Sequence, residues 1–152
     1  MFGDNLLVAP ILNEEGVCEF YLPKGKWTDI LNGKVYEGGH FYKEHYDYFG
    51  LPCLAKPNSI IAYGDFKNGF EYDYLENTEF IIYQPEEGKE ITADIYNTEA
   101  EKIFSISVVR KGKNAEVSYT KTDKPFSVKI AGGESVLVSP DNNGKLTLKI
   151  KN

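Results

Sequence analysis

Residues 17–36 read Val17-Cys-Glu-Phe-Tyr-Leu-Pro-Lys-Gly-Lys-Trp-Thr-Asp-Ile-Leu-Asn-Gly-Lys-Val-Tyr36. In the first six, Val17, Glu19 and Tyr21 fall on one side and Cys18, Phe20 and Leu22 on the other, the two-residue period of a strand. Pro23 and Gly25 interrupt it, and extended runs resume at 26–31 and 34–36. Between them stands Asn32-Gly33, the strongest short hairpin signal. Both residues accept the positive φ that the two central positions of a type I′ turn require. Upstream, Gly3-Asp4 sets a turn before Leu6-Leu7-Val8-Ala9, an apolar run that predicts a strand over 5–10 buried on both sides. A chain opening on such a strand is expected to be an interior stretch of a larger protein.

Downstream the rhythm continues. Gly38-Gly39 precedes a strand over 40–43, and 59–63 closes the first block. After the turn-rich stretch Gly64-Asp65-Phe66-Lys67-Asn68-Gly69, strands are expected at 79–84, 89–96, 103–109, 115–120, 126–130, 135–138 and 146–150. The breaks carry Gly, Pro and Asn. Even spacing of this kind predicts an antiparallel sandwich. The expected architecture is therefore all-β, as two small antiparallel β-sandwich-like domains, 1–73 and 74–152. Eleven Tyr and nine Phe beside one Met favour strands in the same way.

The net charge of −6 is spread evenly: 8 acidic and 5 basic residues lie up to Gly64, and 15 and 12 beyond it. With no basic stripe to neutralise phosphates, nucleic acid is not an expected partner. No apolar run approaches the roughly 20 residues that span a bilayer, and no signal-peptide pattern opens the chain. Cys18 and Cys53 sit in apolar strand-like settings. Two buried free thiols are expected, although a bridge across a sandwich is not excluded by the sequence.

Few residue groups suggest chemistry. His40 and His45, with Glu37, Glu44 and Asp47 nearby, are five apart and point to opposite faces of a strand, so no metal site is expected. Tyr42, Tyr46 and Tyr48 alternate, as do Tyr72 and Tyr74, so each group shares a face. Such a face is a core or domain interface, or else a platform for saccharide rings. No nucleophile–base pair stands out, and no cofactor is expected.

Tyr21-Leu22-Pro23-x-Gly25-x-Trp27, then Gly33, Gly38-Gly39, Leu51-Pro52 and Pro57-Asn58-Ser59-Ile60-Ile61 follow Gly3-Asp4 in order. Over residues 3–64 this resembles the region after the catalytic barrel in glycoside hydrolase family 31, the α-glucosidase and α-xylosidase family. Asn58-Ser59-Ile60-Ile61-Ala62-Tyr63-Gly64 resembles the α-xylosidase branch. The resemblance implies a non-catalytic C-terminal region of a retaining α-glycosidase, partnered by the parent's barrel. Two carboxylic acids on that barrel, roughly 5–5.5 Å apart, would do the chemistry. It also implies a bacterial, cytoplasmic parent and, once the barrel is absent, a surface able to self-associate.

The same resemblance makes Trp27 a core residue and Asp4 a turn-former whose carboxylate accepts backbone N–H bonds. Lys56 stands where the family pattern has an Arg, and cannot reproduce a guanidinium fork. Lys121-Thr122-Asp123 matches the first half of the branch's nucleophile motif, but continues Lys124-Pro125-Phe126. A turn between strands accounts for it better.

Overall fold

The computed structural model describes residues 1–65, 73–139 and 144–150. Among them there is no helix, and fourteen strands form the framework. The chain divides into two compact units, Met1–Pro57 and Asn58–Asn152.

The first unit holds β1 (Leu6–Val8), β2 (Val17–Leu22), β3 (Lys26–Asp29), β4 (Val35–Glu37), β5 (His40–His45) and β6 (Cys53–Ala55). A four-stranded antiparallel sheet runs β1-β6-β3-β4, and β2 pairs with β5 as a separate ribbon. The alternation read in 17–22 is what joins the two layers. Cys18, Phe20 and Leu22 are buried together with Trp27, Tyr36 and Leu54 of the sheet. Their alternates Glu19 and Tyr21 are exposed. Fully burying side chains of this size contributes roughly 1.5–3 kcal/mol each, which helps hold the ribbon on the sheet although no strand of one pairs with a strand of the other.

The β3–β4 hairpin forms, with Thr28 opposite Val35, but not through a two-residue type I′ turn. Only Gly33 takes a positive φ (77°); Asn32 does not. The Gly33 N–H donates to the Asp29 carbonyl at 2.8 Å, and the Asp29 N–H to the Lys34 carbonyl at 2.8 Å. Asp29 explains the longer loop. Its carboxylate, only 1% exposed, accepts the Leu31 N–H at 2.8 Å and the Asn32 Nδ2 at 2.9 Å. Four-residue loops of this kind are the next solution once a side chain holds the first turn.

The second unit holds β7 (Ser59–Tyr63), β8 (Glu79–Tyr83), β9 (Glu90–Tyr96), β10 (Lys102–Lys111), β11 (Asn114–Tyr119), β12 (Phe126–Ile130), β13 (Val136–Val138) and β14 (Lys145–Lys149). Two four-stranded sheets, β14-β11-β10-β9 and β13-β12-β8-β7, bury a common core. At its centre Phe80, Phe104 and Phe126 meet with ring centroids 5.1–5.7 Å apart. One pair departs from the antiparallel expectation: β8 and β12 run parallel. Parallel neighbours need a long crossover, and here β9, β10 and β11 supply it.

The division at Pro57/Asn58 lies upstream of the 73/74 boundary read from turn composition. The reason is β7, whose five residues pair with β8 and whose Ile60 belongs to the second core. Asn58 makes the corner: it holds φ 56°, donates its N–H to the Tyr83 carbonyl at 3.0 Å and accepts the Glu86 N–H on Oδ1 at 2.8 Å. Asn tolerates this left-handed conformation better than most residues.

Candidate functional site

The residues singled out in the sequence fall mainly in the first unit, in three settings. Trp27 is core: it is 3% exposed, and its indole N–H donates to the Pro23 carbonyl at 2.8 Å. Its neighbour Tyr21 does not pack on it. Tyr21 faces outward and leans on Phe41 across the ribbon at 5.1 Å. Asp4 is exposed, and its turn is closed by the main chain instead, the Phe2 N–H donating to the Leu6 carbonyl at 2.7 Å with Gly3 at φ 60°. Lys56 is exposed too, its N–H bonded to the Asn5 carbonyl at 2.8 Å. Cys18 is buried and Cys53 half-buried, both as free thiols. Burial raises the pKa of each thiol, so neither is a poised nucleophile. Lys121-Thr122-Asp123 is a connection between β11 and β12, where the Lys124 N–H donates to Thr122 Oγ1 at 3.1 Å.

The tyrosines separate rather than form one platform. Tyr42 is half-buried, stacked on Phe20 at 5.8 Å and edge-on to Tyr36 at 5.0 Å, with its hydroxyl donating to the Glu37 carbonyl at 2.7 Å. Tyr46 belongs to a network centred on Glu44. One carboxylate oxygen accepts Lys34 Nζ at 2.6 Å; the other accepts the Tyr36 hydroxyl at 2.6 Å and the Tyr46 hydroxyl at 2.9 Å. Burial alone would raise the Glu44 carboxyl, but these three donors outweigh it and hold it below the ordinary carboxylate range. Burial, and then the bond to Glu44, push the Tyr36 hydroxyl up to about 12. The Tyr46 hydroxyl is raised for the same reasons. β4 and β5 lie in different sheets, so Glu44 is a polar clamp between the layers. Neither Glu44 nor Asp29 was legible as a structural acid, because their partners depend on how the ribbon and the hairpin sit.

Tyr48 is 95% exposed, beside Phe49 at 89%. It stands at the mouth of an open groove of about 660 Å³ in the first unit. One wall is the segment before β2, with Ile11, Asn13, Glu14, Glu15 and Gly16; the other is the end of β5 and the segment after it, with His45, Tyr46, Asp47 and Tyr48. Asn13 holds the first wall through a reciprocal pair with Val17, and Asp47 Oδ1 holds the second by accepting the Phe49 N–H at 3.0 Å. The walls meet where the Tyr46 N–H donates to the Gly16 carbonyl at 2.9 Å. Glycine is required there, since it holds φ 69° and a Cβ would come within 2.4 Å of the Tyr46 carbonyl oxygen. Among the described residues no group of three or more His, Cys, Asp or Glu is placed to hold a metal ion. Tyr74 lines a smaller depression of the second unit; Tyr72 lies outside the described residues.

The chain matches known proteins over most of its length. The family model for the C-terminal domain of α-xylosidase YicI matches residues 73–150, and that for the glycosyl hydrolase family 31 C-terminal domain matches residues 1–61. The α-xylosidase XylQ of Lactiplantibacillus pentosus is 33% identical over 146 residues, covering 94% of this chain and 18% of that protein. An α-xylosidase of Emericella nidulans is 41% identical over 70 residues, 40% of this chain and 9% of that protein. Among solved structures, the cycloalternan-forming enzyme from Listeria monocytogenes, in complex with a pentasaccharide substrate, superposes with a TM-score of 0.70 at 29% identity. That match covers 86% of this chain and 13% of the other. The α-xylosidase from Xanthomonas citri superposes at 0.72 over 99% of this chain and 19% of that one; at 16% identity this is a likeness of fold alone. The chain thus spans less than a fifth of each of these relatives, and by the two family models it belongs to the C-terminal β domains of glycoside hydrolase family 31.

Proposed function

We propose that this chain is the non-catalytic accessory region of a retaining α-glycosidase of the α-xylosidase type, and that its first unit packs on the parent's catalytic barrel. The observation that carries this is the exposed apolar surface of that unit: Phe2 is 73% exposed, Leu12 88%, Tyr48 95% and Phe49 89%. Side chains of this size gathered on one small unit suit an interface better than open water. The two carboxylic acids of the reaction belong to the barrel. The free thiols fit a cytoplasmic parent, where thiols stay reduced.

Two measurements test this reading. The isolated chain should not hydrolyse aryl α-xylosides or α-glucosides, because in this reading the acid and the nucleophile both belong to the barrel. Turnover that survives repurification and disappears on Asp123→Asn would refute it. In the full-length parent, Tyr48→Ser with Phe49→Ser should lower the melting temperature, while the isolated chain, where both side chains are already wet, should melt unchanged. Equal melting of variant and wild-type parent would remove the barrel contact.

A saccharide-binding role has one observation in its favour. Tyr74 and Tyr96, 41% and 51% exposed, flank a depression of about 300 Å³ edged by Asp94 and Thr78. Aromatic faces beside a carboxylate suit sugar rings and their hydroxyls. Calorimetric titration with xylose and xylo-oligosaccharides, compared with Tyr96→Ala, decides it.

A further inference from the structure

The groove between residues 10–16 and 45–51 has a charge pattern that apolar docking does not explain. Its lining holds three acidic side chains, Glu14, Glu15 and Asp47, and no Lys or Arg. Among the described residues none of the three acids is in an ion pair, whereas the same unit neutralises Glu37 with Lys26 and Glu44 with Lys34. The same lining holds Asn13 and His45 as further polar groups and, as apolar and aromatic surface, Ile11, Leu51 and the exposed Tyr48. The walls are tied by Asn13, by Asp47 and by the Gly16–Tyr46 main-chain bond, so the groove exists before anything fills it.

Like charges brought together on a pre-formed surface repel one another, and a complementary partner turns that cost into orientation and selectivity. We infer that this groove receives a cationic segment of the parent's catalytic barrel, an Arg or Lys side chain flanked by apolar residues. The apolar part of that segment lies on Ile11, Leu51 and Tyr48, and its charge meets Glu14 and Glu15 of one wall and Asp47 of the other. A guanidinium fits best, since its planar fork bonds carboxylates in pairs and stacks on tyrosine. The inference rests on the barrel-packing reading above and adds the chemistry of the contact to it. The occupant's source has independent support: the relatives carry four-fifths or more of their length outside the part this chain matches.

Hydrogen exchange on the full-length parent, referenced to the isolated chain, tests it. Amides of residues 11–16 and 45–51 are expected to gain protection in the parent beyond that of the isolated chain, where the Tyr46 and Phe49 N–H groups are already bonded within the unit. Glu14→Gln, Glu15→Gln and Asp47→Asn together should reduce that protection roughly tenfold, the order expected for removing charges that face a partner. Roughly 1 M salt, where the Debye length is about 3 Å, should reduce it in the wild type but no further in the triple variant. Protection that is insensitive to both salt and the triple variant overturns the cationic occupant and leaves barrel packing standing. Absence of protection in the parent overturns both. Protection that instead appears in the isolated chain with rising concentration, or on adding xylose, assigns the groove to a second copy or to a sugar and overturns the inference.

Discussion

Trp27 shows how a single residue ties local sequence to packing. It is the second residue of β3, just after the Pro23-Lys24-Gly25 break, and that break turns the Pro23 carbonyl toward its indole N–H. Replacing Trp27 with Ala removes both the ring and the bond, and is expected to cost about 3–5 kcal/mol, much of the margin of a small domain. Urea unfolding of the variant checks this. In the wild type, tryptophan emission should be blue-shifted and resist iodide; emission like that of free tryptophan would place the ring on the surface. Gly38 works at the same scale. A Cβ there would lie 1.8 Å from the Pro23 carbonyl oxygen, so the first glycine of the Gly38-Gly39 pair answers to a close backbone approach. Trp27, whose role was readable, makes its indole bond to a chain neighbour, Pro23. Asp29 and Glu44 were missed because their partners follow from the folded geometry.

At the scale of elements, the Glu44 clamp makes the join between ribbon and sheet depend on pH at both ends. The Glu44 carboxyl is depressed in the folded state, so its contribution is present above the unfolded value of about 4.3 and is lost as pH falls through the lower folded value. Tyr36 has the opposite sign. Its folded value is raised to about 12, so its contribution is complete below about 10 and is lost as pH rises toward 12. Thermal melts across pH should therefore fall at both extremes. Glu44→Gln should flatten the acid limb, and Tyr36→Phe should flatten the alkaline one. If both variants melt lower by the same amount at every pH, the clamp is packing alone. The strands other than β6 were legible to within a residue or two, because alternation is written locally: 17–22, 59–63 and 126–130 are strands over those same residues, whereas Cys53–Ala55 is too short to show a period. The Asn32-Gly33 turn type was not legible, since a buried carboxylate three residues earlier selects the longer loop.

For the molecule as a whole, the open question is what an isolated copy does with its exposed apolar surface. Leaving about 400 Å² of such surface wet forgoes roughly 10 kcal/mol as an upper bound. The isolated chain should therefore self-associate as its concentration rises, and Phe2→Ser with Phe49→Ser should shift it toward monomer. Light scattering reads both, and a strictly monomeric wild type at high concentration would show that this surface tolerates water. The sequence by itself determined the all-β class, the positions of the strands other than β6, the core role of Trp27 and the family resemblance, because strand period, turn residues and motif order are carried by near neighbours. Tertiary structure alone decided the partners. It set β12 parallel to β8, drew β7 and Ile60 into the second core, gathered Lys34, Tyr36 and Tyr46 on Glu44, and left Glu14, Glu15 and Asp47 together around one groove. Each of these brings together residues distant along the chain or on strands that share no hydrogen bonds, and one-dimensional periodicity carries no record of which strand edge or side chain will lie opposite.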